Sequence, residues 1–242
     1  MQAMPAAMSA QQQLLLDLKL EQAPAFENFI VGRNEELLGR LLELKAGRSF
    51  DALYLWGSAG CGKSHLLAAA VLEIAETRPV LMLEGAEVGN DIPAAVGGLI
   101  IIDNVDSLAP DAQIALFRVF NAARLIGIAV LLAGRLPPLE LRLREDLRTR
   151  IGQCLIYEVQ TLSDHEKSAA LRQHALLRGM RLDDGIVHYL LRHGRRDLPS
   201  LMAMLNGLDR LSLEQKRPLT LPLLRELMQS SLDLKPDESS PV

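Results

Sequence analysis

Gly57-Ser58-Ala59-Gly60-Cys61-Gly62-Lys63-Ser64 is the stretch that decides how this chain is read. It fits G-x-x-x-x-G-K-[ST], a pattern whose residue types and spacing have a physical reason. Glycines at 57, 60 and 62 let the backbone turn tightly and aim its N–H groups at phosphate oxygens. A helix starting at Lys63 adds partial positive charge at its N-terminus. Lys63 reaches the outer phosphates, and Ser64 offers a hydroxyl to Mg²⁺. The flanks agree: Ala52–Trp56 is a short apolar run of strand type, and Lys63–Ala75 has helical texture. The alternative, a glycine turn with a chance lysine, is disfavoured by this strand–loop–helix setting.

Working outward, Val80–Glu84 and Leu99–Ile102 are further apolar runs, the latter ending at Asp103. Ile128–Ala133 is a fourth, and Leu155–Val159 reads as a last strand. Between them, Ala112–Leu125 places Ile114, Ala115, Phe117, Phe120 and Ala123 on one helical face. Strands alternating with helices predict an α/β fold with a parallel sheet and crossover helices. Ligands of such sheets bind at the carboxyl ends of the strands, where the loop 57–64 falls. Asn34 is placed to cap a helix over Glu35–Lys45 that Gly47 ends. After Pro137-Pro138 the pattern becomes helical, over Asp164–Arg178, Asp184–His193, Pro199–Ser212 and Pro222–Ser230, with Ser163 and Glu166 as a capping box. The expected organisation is a flexible tail (1–22), an α/β domain (23–160), a helical lid (161–232) and a polar, disordered tail (233–242).

Bulk properties narrow the function. The chain has 242 residues, 49% of them hydrophobic, which is ample for a sizeable core. A net charge of −4 argues against strong nonspecific DNA binding, which favours a basic footprint. Two cysteines, Cys61 and Cys154, make neither a disulfide framework nor a metal site. The histidines show no metal-ligand spacing. No uncharged run approaches the length of a membrane span, and no signal-peptide pattern is evident, so the expected location is cytoplasmic with no membrane partner.

Asp103 is the second nucleotide signal. A carboxylate ending an apolar strand beside a phosphate loop holds Mg²⁺ through water. Many P-loop ATPases place Glu directly after this Asp; here the residue is Asn104, which can orient water but is a very poor proton acceptor. On a strand, Asp106 would not point the same way. The expectation is firm nucleotide binding with poor hydrolysis by the chain alone.

A resemblance adds to this reading. Gly62-Lys63-Ser64-His65-Leu66-Leu67 resembles the P-loop exit of the DnaA-related AAA+ family. Phe26 to Asn34, F-E-N-F-I-V-G-R-N, resembles the segment these proteins use around the adenine, which adds Val31 to the nucleotide set of Gly57, Gly60, Cys61, Gly62, Lys63, Ser64, His65 and Asp103. The pair Asp103-Asn104 and the run Gln160 to Lys167, Q-T-L-S-D-H-E-K, resemble the Hda branch, regulatory inactivators of the initiator DnaA. Similarity spans residues 13–230. It implies a parallel five-stranded AAA+ sheet flanked by helices, a small C-terminal helical lid, and ADP or ATP with Mg²⁺ held at Ser64 and Asp103.

The resemblance also implies partners. Gln13, Leu14, Leu16 and Leu18 match a short peptide that docks on the DNA polymerase III sliding clamp, the beta subunit, with leucines in an apolar pocket. The alternative is that these leucines pack on the domain. DNA would be reached only through the clamp, because the initiators' helix-turn-helix domain has no room after Ser230. Arg150 matches the arginine finger given in trans to a neighbour's nucleotide, with Arg148 second and Arg142 and Arg144 as solvated charges. Two departures stand out: Arg135 or Leu136 falls where a polar sensor is expected, and Pro199 where a lid arginine is expected, with Arg196 one turn earlier as its substitute. The implied function is negative regulation of DNA replication initiation by an ADP-bound protein that triggers ATP hydrolysis in DnaA, at the nucleoid and replisome, compatible with a homo-oligomer. An autonomous AAA+ ATPase, a helicase loader or DnaA-like initiation factor, is the alternative that Asn104, Arg135 and the acidic charge disfavour. A third reading is an adaptor in which nucleotide only supports the fold.

Overall fold

The computed structural model describes residues 23–46, 51–195 and 197–233. Five strands form one parallel sheet: β1 (Ala52–Trp56), β2 (Val80–Glu84), β3 (Leu99–Asp103), β4 (Ala129–Gly134) and β5 (Leu155–Glu158), in the order β2-β3-β4-β1-β5. β3 and β4 are buried at every position, as continuous apolar runs in a sheet covered on both faces must be. The edge strands β2 and β5 are only partly buried.

Helices α1 (Glu35–Glu43) and α2 (Lys63–Ile74) contribute to one layer, where Leu37, Leu41, Leu66 and Leu67 pack on Leu53, Leu55 and Ile101. Helix α3 (Pro110–Ile126) contributes to the opposite layer, with Leu116, Phe120 and Ala123 against Tyr54, Ile100 and Val130. Pro110 opens α3 and Gly127 ends it in the left-handed region, the usual asymmetry of helix termini. A third core belongs to the lid: α5 (Asp164–Leu177), α6 (Asp184–His193), α7 (Leu198–Gln215) and α8 (Leu221–Asp233) close around Leu171, Leu190, Leu205 and Leu224. The capping box is formed: Ser163 Oγ accepts from Glu166 N at 3.3 Å, and Glu166 Oε2 accepts from Ser163 N at 2.7 Å.

One local expectation changes. Asn34 stands at the start of α1 but does not cap it with its side chain. Its amide donates to Val31 O and Gln160 O, and its Oδ1 accepts from Gln160 N at 2.8 Å, so it staples the segment before α1 to the start of the lid connection. The arginine-rich stretch after β4 is a helix, α4 (Glu145–Gly152), whose Leu147 and Ile151 are buried in the α3 layer. Arg78 ties the sheet's far end together: its buried guanidinium donates to Gly97 O and Gly98 O, each at 2.7 Å. Burial lowers its pKa, yet the carbonyls satisfy the charge.

Candidate functional site

The turn between β1 and α2 is the centre of the site. Gly60 and Gly62 have φ of +76° and +108°, which residues bearing a Cβ rarely adopt. Both also lie against other groups: a Cβ on Gly60 would sit 2.4 Å from Asp197 Cβ, and one on Gly62 would sit 2.8 Å from the Phe29 ring. Lys63 is only 7% exposed. Its ammonium donates to Gly57 O at 2.7 Å and Ser58 O at 3.0 Å, and lies 3.6 Å from Cys61 Sγ. The loop therefore wraps around one buried cation, as a phosphate cradle requires.

Across the sheet's carboxyl end, Ser64 Oγ donates to Asp103 Oδ2 at 2.6 Å. Asp103 is buried, and its Oδ1 accepts from Asn104 N at 2.8 Å. A hydroxyl and a carboxylate this close are hard oxygen donors that fit Mg²⁺, which keeps several waters and takes few protein ligands. No cluster of three His, Cys, Asp or Glu suited to a metal occurs among the described residues. Asn104 sits in the left-handed region, φ +51°, and its Nδ2 donates to Glu84 Oε1 at 2.8 Å. Glu84 belongs to the neighbourhood of the site, and only the strand register reveals it.

The segment expected near the adenine packs on the start of α2. His65 Nε2 lies 3.2 Å from Ala25 O, and its ring centroid is 5.9 Å from that of Phe29. Val31 is fixed through its carbonyl, which accepts from Asn34 N at 2.8 Å. The loop after β4 is tied to the segment after β3 and to β1. Asp106 Oδ1 accepts from Arg135 N at 3.0 Å, its other oxygen lies 3.9 Å from Arg135 Nε, and Tyr54 OH donates to Leu136 O at 2.5 Å. Burial pushes the Tyr54 phenol well above its ordinary range, so it remains a neutral donor.

The lid meets the cradle at Asp197, which caps α7 by accepting from Ser200 N at 2.9 Å while its Cβ lies against Gly60. Pro199 is in the first turn of α7. Arg196 lies outside the described residues, as do Gln13, Leu14, Leu16 and Leu18. Arg150 projects from α4 and is exposed. Its Nη2 donates to Asn121 Oδ1 at 2.9 Å, and its Cζ lies 5.8 Å from the Phe117 ring centre. Arg144 instead forms a two-point pair with Asp146, at 2.9 Å and 3.2 Å, and that bond holds the Asp146 carboxyl below its ordinary range. Cys154 is an inert core thiol, pushed up to about 12 by burial.

The sheet order, the loop after β1, the Ser64–Asp103 pair and the helical lid define an AAA+ module. Comparison with known families agrees at both ends: a model of the bacterial DnaA ATPase domain matches residues 20–87, and a model of the Hda lid domain matches residues 164–228. The chain is an Hda- and DnaA-related AAA+ protein. Among solved structures, domain III of the Thermotoga maritima replication initiation protein DnaA superposes with a TM-score of 0.70 at 18% identity, covering 85% of this chain and 95% of that one. AMPPCP-bound DnaA from Aquifex aeolicus gives 0.68 at 20% identity, covering 87% and 70%. A Thermotoga maritima RuvB variant gives 0.70 at 17% identity, covering 91% and 77%. Identities this low speak for the fold alone. No helix among the described residues is long and apolar enough to cross a membrane.

Proposed function

We propose that this chain is a nucleotide-binding negative regulator of DNA replication initiation that promotes ATP hydrolysis by the initiator DnaA in trans. The loop 57–64, with Val31 and His65 on its flank and Arg196 from the lid, binds ADP or ATP. Mg²⁺ held at Ser64 and Asp103 neutralises phosphate charge. This chain's own turnover is slow, since the residue after Asp103 is the non-basic Asn104. The sliding clamp recruits the chain through Gln13, Leu14, Leu16 and Leu18, so DNA is met only through the clamp, in the cytoplasm at the replisome.

The observation that carries the reading is Arg150: an exposed guanidinium, held in one orientation by Asn121 and Phe117. One of its five N–H donors is used by Asn121, which leaves others for a partner's phosphates. Placed at the nucleotide of an adjoining DnaA, it stabilises the charge that develops on the transferred γ-phosphoryl group. The reaction is tested by mixing the purified chain, DNA-loaded clamp and ATP-bound DnaA, then following whose nucleotide is hydrolysed. DnaA's ATP is expected to turn over faster in the presence of the chain. If DnaA keeps its ATP, or if the chain consumes free ATP robustly without a partner, the reading fails.

A further inference from the structure

Glu84 closes β2 beside the end of β3, paired in register with Asp103 across the parallel ladder. The bond from Asn104 Nδ2 to Glu84 Oε1 completes a continuous run of hydrogen bonds from Ser64 through Asp103 and Asn104 to Glu84. Two residue types are thereby distributed over neighbouring strand ends. The amide follows the metal-site carboxylate, where a proton acceptor would be useful, and a carboxylate stands one hydrogen bond further along.

The bond has two chemical consequences. Glu84 takes the N–H of the Asn104 amide, which fixes the amide's orientation and leaves Oδ1 as its acceptor. Glu84 itself is half-buried, and among the described residues no Lys, Arg or His pairs with it. It therefore keeps acceptor capacity on the same hydrogen-bonded chain that ends at Ser64.

We propose that Glu84 is the proton acceptor of this nucleotide site, with Asn104 and Glu84 as two halves of one device. Asn104 Oδ1 orients a water, and the Glu84 carboxylate takes its proton. The inference rests on the reading that the loop 57–64 binds ATP. In the step, the water oxygen bonds to the γ-phosphorus, and the bond from that phosphorus to the β–γ bridging oxygen breaks. The electron pair leaves with ADP, and the water's proton passes to Glu84 and then to solvent. The carboxylate reaches in from the next strand rather than from the residue after Asp103, so turnover is slow and depends on Glu84.

A purely structural Glu84 would only hold Asn104 in its left-handed turn. Glu84→Gln separates the two roles, since Gln still accepts from Asn104 but cannot take a proton. Three measurements on the full chain decide: affinity for ADP by fluorescent-nucleotide titration, affinity for ADP with aluminium fluoride, and single-turnover ATP hydrolysis. The wild type is expected to bind ADP with aluminium fluoride about 10²-fold more tightly than ADP, because that complex mimics the transition state. Glu84→Gln is expected to lose this gain and to slow the single turnover about 10²-fold, with ADP affinity unchanged. Asn104→Leu, which removes the orienting oxygen, is expected to lose the gain as well. The proposal is overturned if Glu84→Gln matches the wild type in both readouts, or if the wild type binds ADP yet shows neither the gain nor any hydrolysis. A wild type that does not bind ADP at all overturns instead the nucleotide-binding reading, and the first titration shows it.

Discussion

The molecule treats Lys63 of the loop 57–64 and Arg150 of helix α4 in opposite ways. Lys63 is nearly sealed, its ammonium bonded to two carbonyls of its own loop. Arg150 stands on the surface, steadied by one amide oxygen and one aromatic face. A buried charge must be fully bonded or it costs too much desolvation, so the cradle is a finished structure into which phosphates exchange. An exposed guanidinium keeps donors for someone else. The contrast separates the place where this chain receives a nucleotide from the place where it acts on another's.

Arg150→Ala is the sharpest way to break that contrast. It is expected to lower the clamp-dependent stimulation of DnaA's ATP hydrolysis by about 10³-fold, the lower end of what such fingers contribute. Nucleotide affinity of the chain, titrated separately, stays at the wild-type value. If nucleotide affinity falls with stimulation, the two regions are one site and the separation is wrong. Lys63→Ala is the converse: affinity for ADP is expected to fall about 10–100-fold, as for loss of a charge-assisted hydrogen bond to phosphate.

Asn121→Ala sharpens the α4 side. It removes the hydrogen bond from the Arg150 guanidinium to Asn121 while leaving the Phe117 face. Stimulation is expected to fall about fivefold, in proportion to one ordinary hydrogen bond, with the concentration of DnaA at half-saturation unchanged. A rise in stimulation would mean that Asn121 restrains Arg150 instead of aiming it.

The same two regions differ in how far the sequence discloses them. The cradle is built from eight consecutive residues, so its chemistry is local, and β1 and β2 lie where their apolar runs place them. Helix α4 is harder to see. Only Leu147 and Ile151 are buried in it, and both are meaningful only against α3. Its signal is Glu145 and Asp146 at the start and Arg150 near the end, a charge order that suits the helix dipole. Asn34 misleads for a related reason: its type favours a cap, but Gln160, distant in the chain, takes the side chain. Glu84 meets Asn104 only because β2 and β3 are paired in register, which no spacing of residues along one strand reports.

Ser163→Ala probes the smallest effect and concerns the lid, whose Asp197 lies against Gly60 of the loop. The hydroxyl accepts from Glu166 N and donates to Glu166 Oε2 at 2.6 Å. Its loss is expected to cost about 1 kcal/mol, as for other helix caps. The bonds from the Ser163 hydroxyl, and then its N–H, hold the Glu166 carboxyl below the ordinary glutamate range. A lowered folded pKa means that the folded chain favours the carboxylate. Its contribution is therefore complete above about pH 4.3, the ordinary value, and drains as pH falls through that value towards the folded one. Thermal melts of wild type and Ser163→Ala should differ by a constant amount above about pH 5 and by a smaller amount as the pH falls below 4, because the cap on Glu166 N does not titrate. A gap that stays constant into acid would show that Glu166 gains nothing from the hydroxyl.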